Sequence, residues 1–237
     1  MSDFLFNEFD KVSAKQWKQK IQVDLQGADY NETLLWQSPE GIDVKPFYHK
    51  DYFDTSFPPI PGHPDHWCIA QSIFIDDEVI ANKLVLDAID RGAESIYFTS
   101  TAVFNMERLF QKFPFGKVSI HFNFQFLKED FIVKLIRFLS ELSAGQEGNN
   151  ASVYYNIDIL GNFARGGNWF YNLKKDHEIL EKIVLAHPSE AIIRTDTTIY
   201  QNAGANIVQQ LAYALAHTNE YLNHFCSEEY GNNSNGK

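Results

Sequence analysis

The sequence predicts an α/β fold built on a parallel sheet, and three observations carry that prediction. From Trp67 onward, short runs rich in β-branched and aromatic residues alternate with longer amphipathic runs, the pattern of strand, crossover helix and next parallel strand. The helical runs carry start and stop signals, such as Asp76 ahead of one and Arg91-Gly92 behind it. The chain has 237 residues and 44% hydrophobic content, enough to bury the core of one sizeable domain or two small ones.

The elements follow in order. Residues 13–25 carry a capping Ser13 and apolar Trp17, Ile21 and Leu25 at four-residue spacing, a short amphipathic helix. Residues 29–66 are rich in Pro, Asp and aromatic side chains and include Pro58-Pro59-Ile60-Pro61-Gly62, which fits neither a regular helix nor a central strand. Residues 1–66 therefore read as a helix followed by an extended, irregular arm. Within the arm, Ser38-Pro39-Glu40-Gly41 is a turn, with Pro setting φ at its second position and Gly permissive at its fourth. Ile42 and Val44 then alternate as a short strand.

Five βα units fill residues 67–225. The strands are expected at 67–74, 95–99, 118–123, 153–157 and 191–195, and the helices at 76–91, 102–112, 128–143, about 172–186, and 202–225. In the last helix Gly204, Val208, Leu211, Ala212 and Leu215 share a stripe expected to lie on the sheet. Residues 144–151 form a polar loop, and 226–237 a polar tail without periodicity. An eight-unit barrel typically takes about 250 residues. Five units fit either an open doubly wound sheet or the first part of a parallel barrel, and periodicity alone leaves both open.

Composition excludes several functions. A net charge of −11 opposes binding to nucleic acid or to an anionic membrane surface. No run approaches the roughly 20 apolar residues of a membrane helix. The acidic N-terminus lacks a cationic and apolar signal sequence, and Cys68 and Cys226 lie far apart, so two free thiols in a reducing cytoplasm are expected.

Few residues advertise chemistry. His63-Pro64-Asp65-His66 offers two imidazoles and a carboxylate, but Pro64 breaks any helix that would align the rings. A surface turn explains it better, and no metal site is expected. Asp158 is the first polar group past the fourth strand, followed by Gly161 and Arg165-Gly166-Gly167, at the strand end where α/β sheets place ligand loops. The Arg165 fork could hold a carboxylate or phosphate; the plainer reading pairs it at the surface, with the glycines as a helix-breaking loop. After the fifth strand, Arg194 and Asp196 could serve as anion anchor and acid; the plainer reading is a polar loop capping the next helix through Asn202. No dinucleotide, P-loop, nucleophile-elbow, zinc or EF-hand pattern occurs.

Three stretches, in order, resemble one family. Residues 27–48 contain SPEGIDVKPFY, similar to the methylmalonyl-CoA mutase segment in which TPEG or SPEG precedes I-x-V-K-P and an aromatic residue. Residues 66–72, HWCIAQS, resemble P-W-x-I-R-Q-Y at the first barrel strand of that family. Residues 200–222, YQNAGANIVQQLAYALAHTNEYL, are similar to its H-x-Q-E-A-G-A…E-L-A-x-x-L-A…E-Y segment. The chain looks like the small, β-type subunit of a heterodimeric methylmalonyl-CoA mutase, or a truncated barrel region of it.

That resemblance implies a parallel (β/α) barrel of TIM type, incomplete at about five βα units, with an N-terminal arm that wraps a partner. It also implies a radical isomerisation of methylmalonyl-CoA and succinyl-CoA, with adenosylcobalamin held between the barrel and a separate C-terminal domain. The catalytic pattern is lost, however. Ser72 stands at the family's active-site tyrosine, Ala70 at the arginine of R-Q-Y, and Ile199 at the active-site histidine. Serine is too short to replace a phenol, and isoleucine forms no hydrogen bond. The cobalamin-binding D-x-H-x-x-G motif is absent as well.

The expectation is thus a non-catalytic small subunit or fragment in the cytoplasm. It would hold no cofactor itself and support a catalytic large subunit that carries adenosylcobalamin. Its open barrel edges would otherwise be covered by self-association. The alternative is a stand-alone acyl-CoA or small-acid binding module, with Gln71, Arg165, Arg194, Asp196 and Gln201 facing the ligand.

Overall fold

The chain divides into two compact units, Met1–Asp65 and His66–Lys237, and the computed structural model describes residues 8–53, 66–144 and 152–226. In the first unit, helix α1 (Ala14–Asp24) starts at a capping box: the Ser13 hydroxyl accepts from the Gln16 amide, and the Gln16 side chain accepts from the Ser13 amide at 2.9 Å. Asp29 caps a further short helix, α2 (Tyr30–Leu34), inside the segment expected to be irregular. Its carboxylate accepts from the Asn31 and Glu32 amides, so one aspartate converts a polar stretch into a helical turn.

The Ser38–Gly41 turn closes a hairpin. The Gly41 amide donates to the Ser38 carbonyl at 3.0 Å, and Gly41 sits at φ 78°, a conformation that glycine adopts without steric cost. Strands β1 (Trp36–Gln37) and β2 (Asp43–Val44) pair antiparallel on either side. A 3-10 turn, Lys50–Tyr52, is tied back to α1 by Asp51, which accepts from the Ala14 amide at 3.0 Å. The proline run 58–62 and residues 63–65 of the His-Pro-Asp-His turn lie outside the described residues.

The second unit is built on five parallel strands: β3 (Ala70–Phe74), β4 (Ser95–Ser100), β5 (Ser119–Phe124), β6 (Val153–Ile157) and β7 (Ala191–Ile193). Between and after them run α3 (Glu78–Asp90), α4 (Met106–Leu109), α5 (Glu129–Ala144), α6 (Ile159–Gly166), α7 (Leu173–Ala186), α8 (Thr198–Asn202) and α9 (Ile207–Cys226). Alternation along the strands divides the sheet into two faces. Ile96, Phe98, Ile120, Phe122, Tyr155 and Ile157 are buried in one core with Leu109, Leu135, Ile136, Leu180 and Ile183. Each such side chain contributes about 1.5–3 kcal/mol on burial. Phe98 stacks on Phe122, with ring centroids 5.7 Å apart, and Phe104 meets Phe131 edge to face at 4.9 Å.

The other face carries Tyr97, Thr99, His121, Asn123 and Asn156 and is only partly covered. The strand order, β3-β4-β5-β6-β7, is strictly sequential. A doubly wound sheet reverses its order at a switch point; an unbroken sequential order with one helix-packed face is the arc of a barrel. The architecture is an incomplete α/β barrel of TIM type, with β3 and β7 as unpaired margins among the described residues.

Several boundaries differ from expectation, each for a local reason. Asp77, not Asp76, caps α3 by accepting from the Ile80 amide at 2.8 Å. The C-terminal end of α3 is as expected: Gly92 at φ 104° lets the Ala93 amide reach the Ala88 carbonyl at 2.9 Å. Strand β3 begins at Ala70, leaving Trp67 and Ile69 exposed ahead of it. Helix α4 is a single turn because Phe110, Phe113 and Phe115 leave the helix to enter the core. The segment 158–167 holds helix α6 where a loop was expected.

The largest correction concerns the chain end. The single helix expected at 202–225 is two: α8 closes with Gly204 at φ 92° and the Ala205 amide on the Tyr200 carbonyl at 3.0 Å, and Asn206 starts α9 anew. Asn206 and Gln209 cap each other reciprocally at 2.9 and 3.0 Å, so Asn202 does not cap the long helix. The stripe expected to lie on the sheet is turned outward, with Val208, Leu211 and Leu215 63%, 61% and 62% exposed, while His217 and Tyr221 are buried. Residue 144 ends α5 and Cys226 ends α9; the rest of the expected loop 144–151 and of the expected tail 226–237 lies outside the described residues. No helix among the described residues is long and apolar enough to cross a membrane.

Candidate functional site

At the carboxyl ends of the strands lies a cavity of about 260 Å³. Ser72 and Tyr97 are among its lining residues, and the sheet register sets them in one row with His121 and Tyr154, which are not. Ser72, Tyr97, His121 and Tyr154 stand side by side across β3 to β6, and the rings form a stack: Tyr97 on His121 at 4.1 Å and His121 on Tyr154 at 4.4 Å, all within 9° of parallel. Burial and the nearby Arg194 charge lower the His121 pKa from its ordinary value. One level higher, Asn156 occupies φ 49°, where the β6–β7 register shifts. Its side-chain amide donates to the Phe122 carbonyl at 3.1 Å. A bulge of this kind re-aims the residues that follow it, here Asp158.

Asp158 is held by four hydrogen bonds. Its Oδ1 accepts from the Gly161 amide, His217 Nε2 and the Tyr221 hydroxyl, each at 2.8 Å, and its Oδ2 accepts from the Asp196 amide at 3.3 Å. The Tyr221 hydroxyl in turn accepts from the Leu160 amide at 3.1 Å, and Tyr200 meets His217 Nδ1 at 3.0 Å. An ionised carboxylate only accepts, so Nε2 carries a proton; in a neutral ring Nδ1 then accepts from the Tyr200 hydroxyl. Burial would raise the Asp158 pKa, but the hydrogen bonds and charge from His217, the Gly161 amide and Tyr221 outweigh it and leave the pKa lowered. Burial and the Asp158 charge raise the Tyr221 and Tyr200 hydroxyls. Gly161 is required by this arrangement, since a Cβ there would run into the Asp158 carboxylate.

The residues singled out from sequence are distributed unevenly. Arg165, Arg194 and Asp196 line the cavity together with Ser72 and Asp158. Arg165 Nη2 pairs with Asp196 Oδ2 at 3.4 Å, half exposed, so the plainer surface-pair reading of Arg165 and its place at the cavity coexist. Asp196 also accepts from the Thr198 amide and hydroxyl. Gln71 does not face the cavity: side chains alternate along β3, so with Ser72 facing the cavity Gln71 points to the helix side, beside Leu84 and Arg91. Gln201, exposed on α8, and Ile199 are not among the lining residues either. His217, Tyr221 and Tyr200 escaped notice in the sequence. The available signal was the four-residue step from His217 to Tyr221, which sets both polar groups on one side of the helix.

Chemically the cavity is an anion-tolerant polar recess. Arg194 forms no ion pair among the described residues and offers a planar fork. Among the described residues no base hydrogen-bonds to Ser72, and Asp158 already accepts four hydrogen bonds. No histidine or cysteine is among the lining residues, so the lining offers neither an imidazole nor a thiolate to hold a corrin.

Residues 98–231 match the family model described as methylmalonyl-CoA mutase, more than half of the chain. A curated relative, the methylmalonyl-CoA mutase small subunit of Porphyromonas gingivalis (strain ATCC BAA-308 / W83), is 26% identical over 245 residues, covering 95% of this chain and 39% of the relative. The chain therefore spans about two fifths of the length of the curated relative it matches. With the sequential parallel sheet, the strand-end cavity and this match in agreement, the chain belongs to the methylmalonyl-CoA mutase family.

Proposed function

We propose that the chain acts as a non-catalytic small-subunit component of a methylmalonyl-CoA mutase, docking on a catalytic large chain that carries adenosylcobalamin and isomerises methylmalonyl-CoA and succinyl-CoA. The observation that carries this reading is the outward stripe of α9. Val208, Leu211, Leu215 and Leu222 are all more than half exposed at steps of three, four and seven residues, the spacing of a seam that packs on another helix. The stripe lies on the helix that follows the unpaired margin strand β7, and the opposite margin at β3 exposes Ile69 and Phe74. Apolar surface on this scale marks an interaction site. Ser72 and Ile199, where the family has its tyrosine and histidine, support the absence of catalysis. The two cysteines, both free, fit a reducing cytoplasm.

The test mixes the purified chain with a long mutase chain holding adenosylcobalamin and follows the mixture by sedimentation. A stoichiometric complex that Leu211→Glu/Leu215→Glu abolishes is expected. Turnover of methylmalonyl-CoA by the chain alone with adenosylcobalamin would sink the non-catalytic assignment. A second reading rests on Arg165 and Arg194 in the cavity, which suit an acyl-CoA or small acid. Titration of the isolated chain with acyl-CoA thioesters separates the two, because tight binding lost in Arg194→Ala would favour the binding module.

A further inference from the structure

At the end of the sheet opposite the cavity, the register brings two neighbouring side chains together with a third from 26 residues further along the chain. Residues 66–69 lead into β3 without being part of it, and Glu94 is the last residue before β4. Three hydrogen bonds lock these lead-ins together. The Glu94 and Ser95 amides donate to the Ile69 carbonyl at 2.8 and 3.1 Å, and the Ile69 amide donates to Glu94 Oε2 at 2.9 Å. The last of these fixes the Glu94 carboxylate, leaving Oε1 free to turn toward His66, whose Nε2 lies 3.5 Å away. His66 and Cys68 are two residues apart in an extended stretch, a spacing that places side chains on one side of the backbone. One ligand atom from each of His66, Cys68 and Glu94 lies within 4.8 Å of the others.

We propose that His66, Cys68 and Glu94 form a binding site for a divalent transition-metal ion of the zinc type, with a fourth position left to water. The donor set argues for that class. A thiolate selects against magnesium and calcium, while imidazole and carboxylate complete the nitrogen, sulfur and oxygen set that zinc accepts. Tetrahedral zinc at ordinary bond lengths sets neighbouring ligand atoms about 3.3–3.6 Å apart. The His66–Glu94 pair is already at that separation, and Cys68, on the exposed surface, closes the remainder by side-chain rotation. The charges balance: thiolate and carboxylate together neutralise the ion, and the Cys68 thiol releases its proton to solvent when the metal binds.

The location assigns the role. Strand N-terminal ends of such barrels serve stability, and strand C-terminal ends serve chemistry. A metal here staples the lead-in of margin strand β3 to that of β4, at a strand that has a sheet neighbour on one side among the described residues. Of the His-Pro-Asp-His run, His66 lies among the described residues and supplies one ligand; the other two are Cys68 and Glu94, just ahead of β4.

Co²⁺ titration of the full chain under thiol-free reductant tests the site, because a cobalt–thiolate bond produces a charge-transfer band in the near ultraviolet. The expected result is a band saturating at one Co²⁺ per chain and displaced by Zn²⁺. It should be lost in Cys68→Ser and unchanged in Cys226→Ser, with affinity weakened about tenfold or more in His66→Ala and in Glu94→Gln. All of these side chains are at least partly exposed, and circular dichroism of each variant verifies its fold. Absence of the band at millimolar Co²⁺, a band that follows Cys226, or affinity indifferent to both His66→Ala and Glu94→Gln overturns the proposal.

Discussion

The two sides of helix α9 invert the usual arrangement of a surface helix. Toward the sheet it presents His217 and Tyr221, both buried, and beside them, turned to solvent, it presents Val208, Leu211 and Leu215. Apolar burial on its own would favour the other rotation, since each leucine moved from water to a core is worth about 1.5–3 kcal/mol. What holds the observed rotation is the Asp158 carboxylate, which collects three donors on one oxygen and a fourth on the other. A buried carboxylate without those donors is far costlier than an exposed leucine. A polar anchor thus sets how the helix sits, and the apolar side is left for a partner.

Breaking the anchor should have the largest effect. Asp158→Ala leaves the His217 ring, the Tyr221 hydroxyl and the Gly161 amide without their acceptor, and urea denaturation should report a loss of about 2–4 kcal/mol. Gly161→Ala should destabilise by about 1–3 kcal/mol, because its methyl group displaces the same carboxylate. Tyr221→Phe removes one donor and should cost about 1 kcal/mol.

The apolar side should behave in the opposite way. Leu211→Glu/Leu215→Glu should shift the urea midpoint of the isolated chain by no more than about 0.5 kcal/mol per site, while abolishing association with a mutase partner. A large loss of stability in that double variant would mean that the stripe is packed within this chain. Smallest of all, Arg165→Ala should change stability by less than about 0.5 kcal/mol, since its pair with Asp196 is half exposed.

Acid sharpens the contrast further. The Asp158 pKa is lowered in the folded chain, so its stabilising contribution is present in full above the ordinary aspartate value of about 3.9. That contribution is lost as pH falls through the lower folded value. Urea midpoints of wild type and Asp158→Asn should therefore converge as pH is taken below about 4. A gap of constant size down to pH 2 would remove the ionised carboxylate from the account.

Much of the fold was legible because its signals are local. Ser13, Arg91-Gly92 and the Ser38–Gly41 turn act within a few residues through capping and φ preference, and the alternating runs at 95–99 and 153–157 need only a period of two. The misplacements came where distant groups decide. The apolar period of 208–215 correctly indicates a helix but not which side meets the sheet, because that depends on Asp158, 59 and 63 residues away from its partners His217 and Tyr221. Gly204 was visible, yet its effect as a helix terminator depends on the Ala205 amide reaching the Tyr200 carbonyl. Arg165, Arg194 and Asp196 line the cavity because they follow strand ends. Gln71, one residue before Ser72 on the same strand, points to the other side of the sheet.

By itself the sequence determined the parallel α/β class, the five repeating units and the family, since all of these are carried by residue identity and short-range spacing. Tertiary structure alone decided between open sheet and barrel arc, through the sequential strand order. It also decided the rotation of α9 and the meeting of His66, Cys68 and Glu94. These are matters of register between segments far apart in the chain, and register is set by hydrogen bonds that form only when the sheet does.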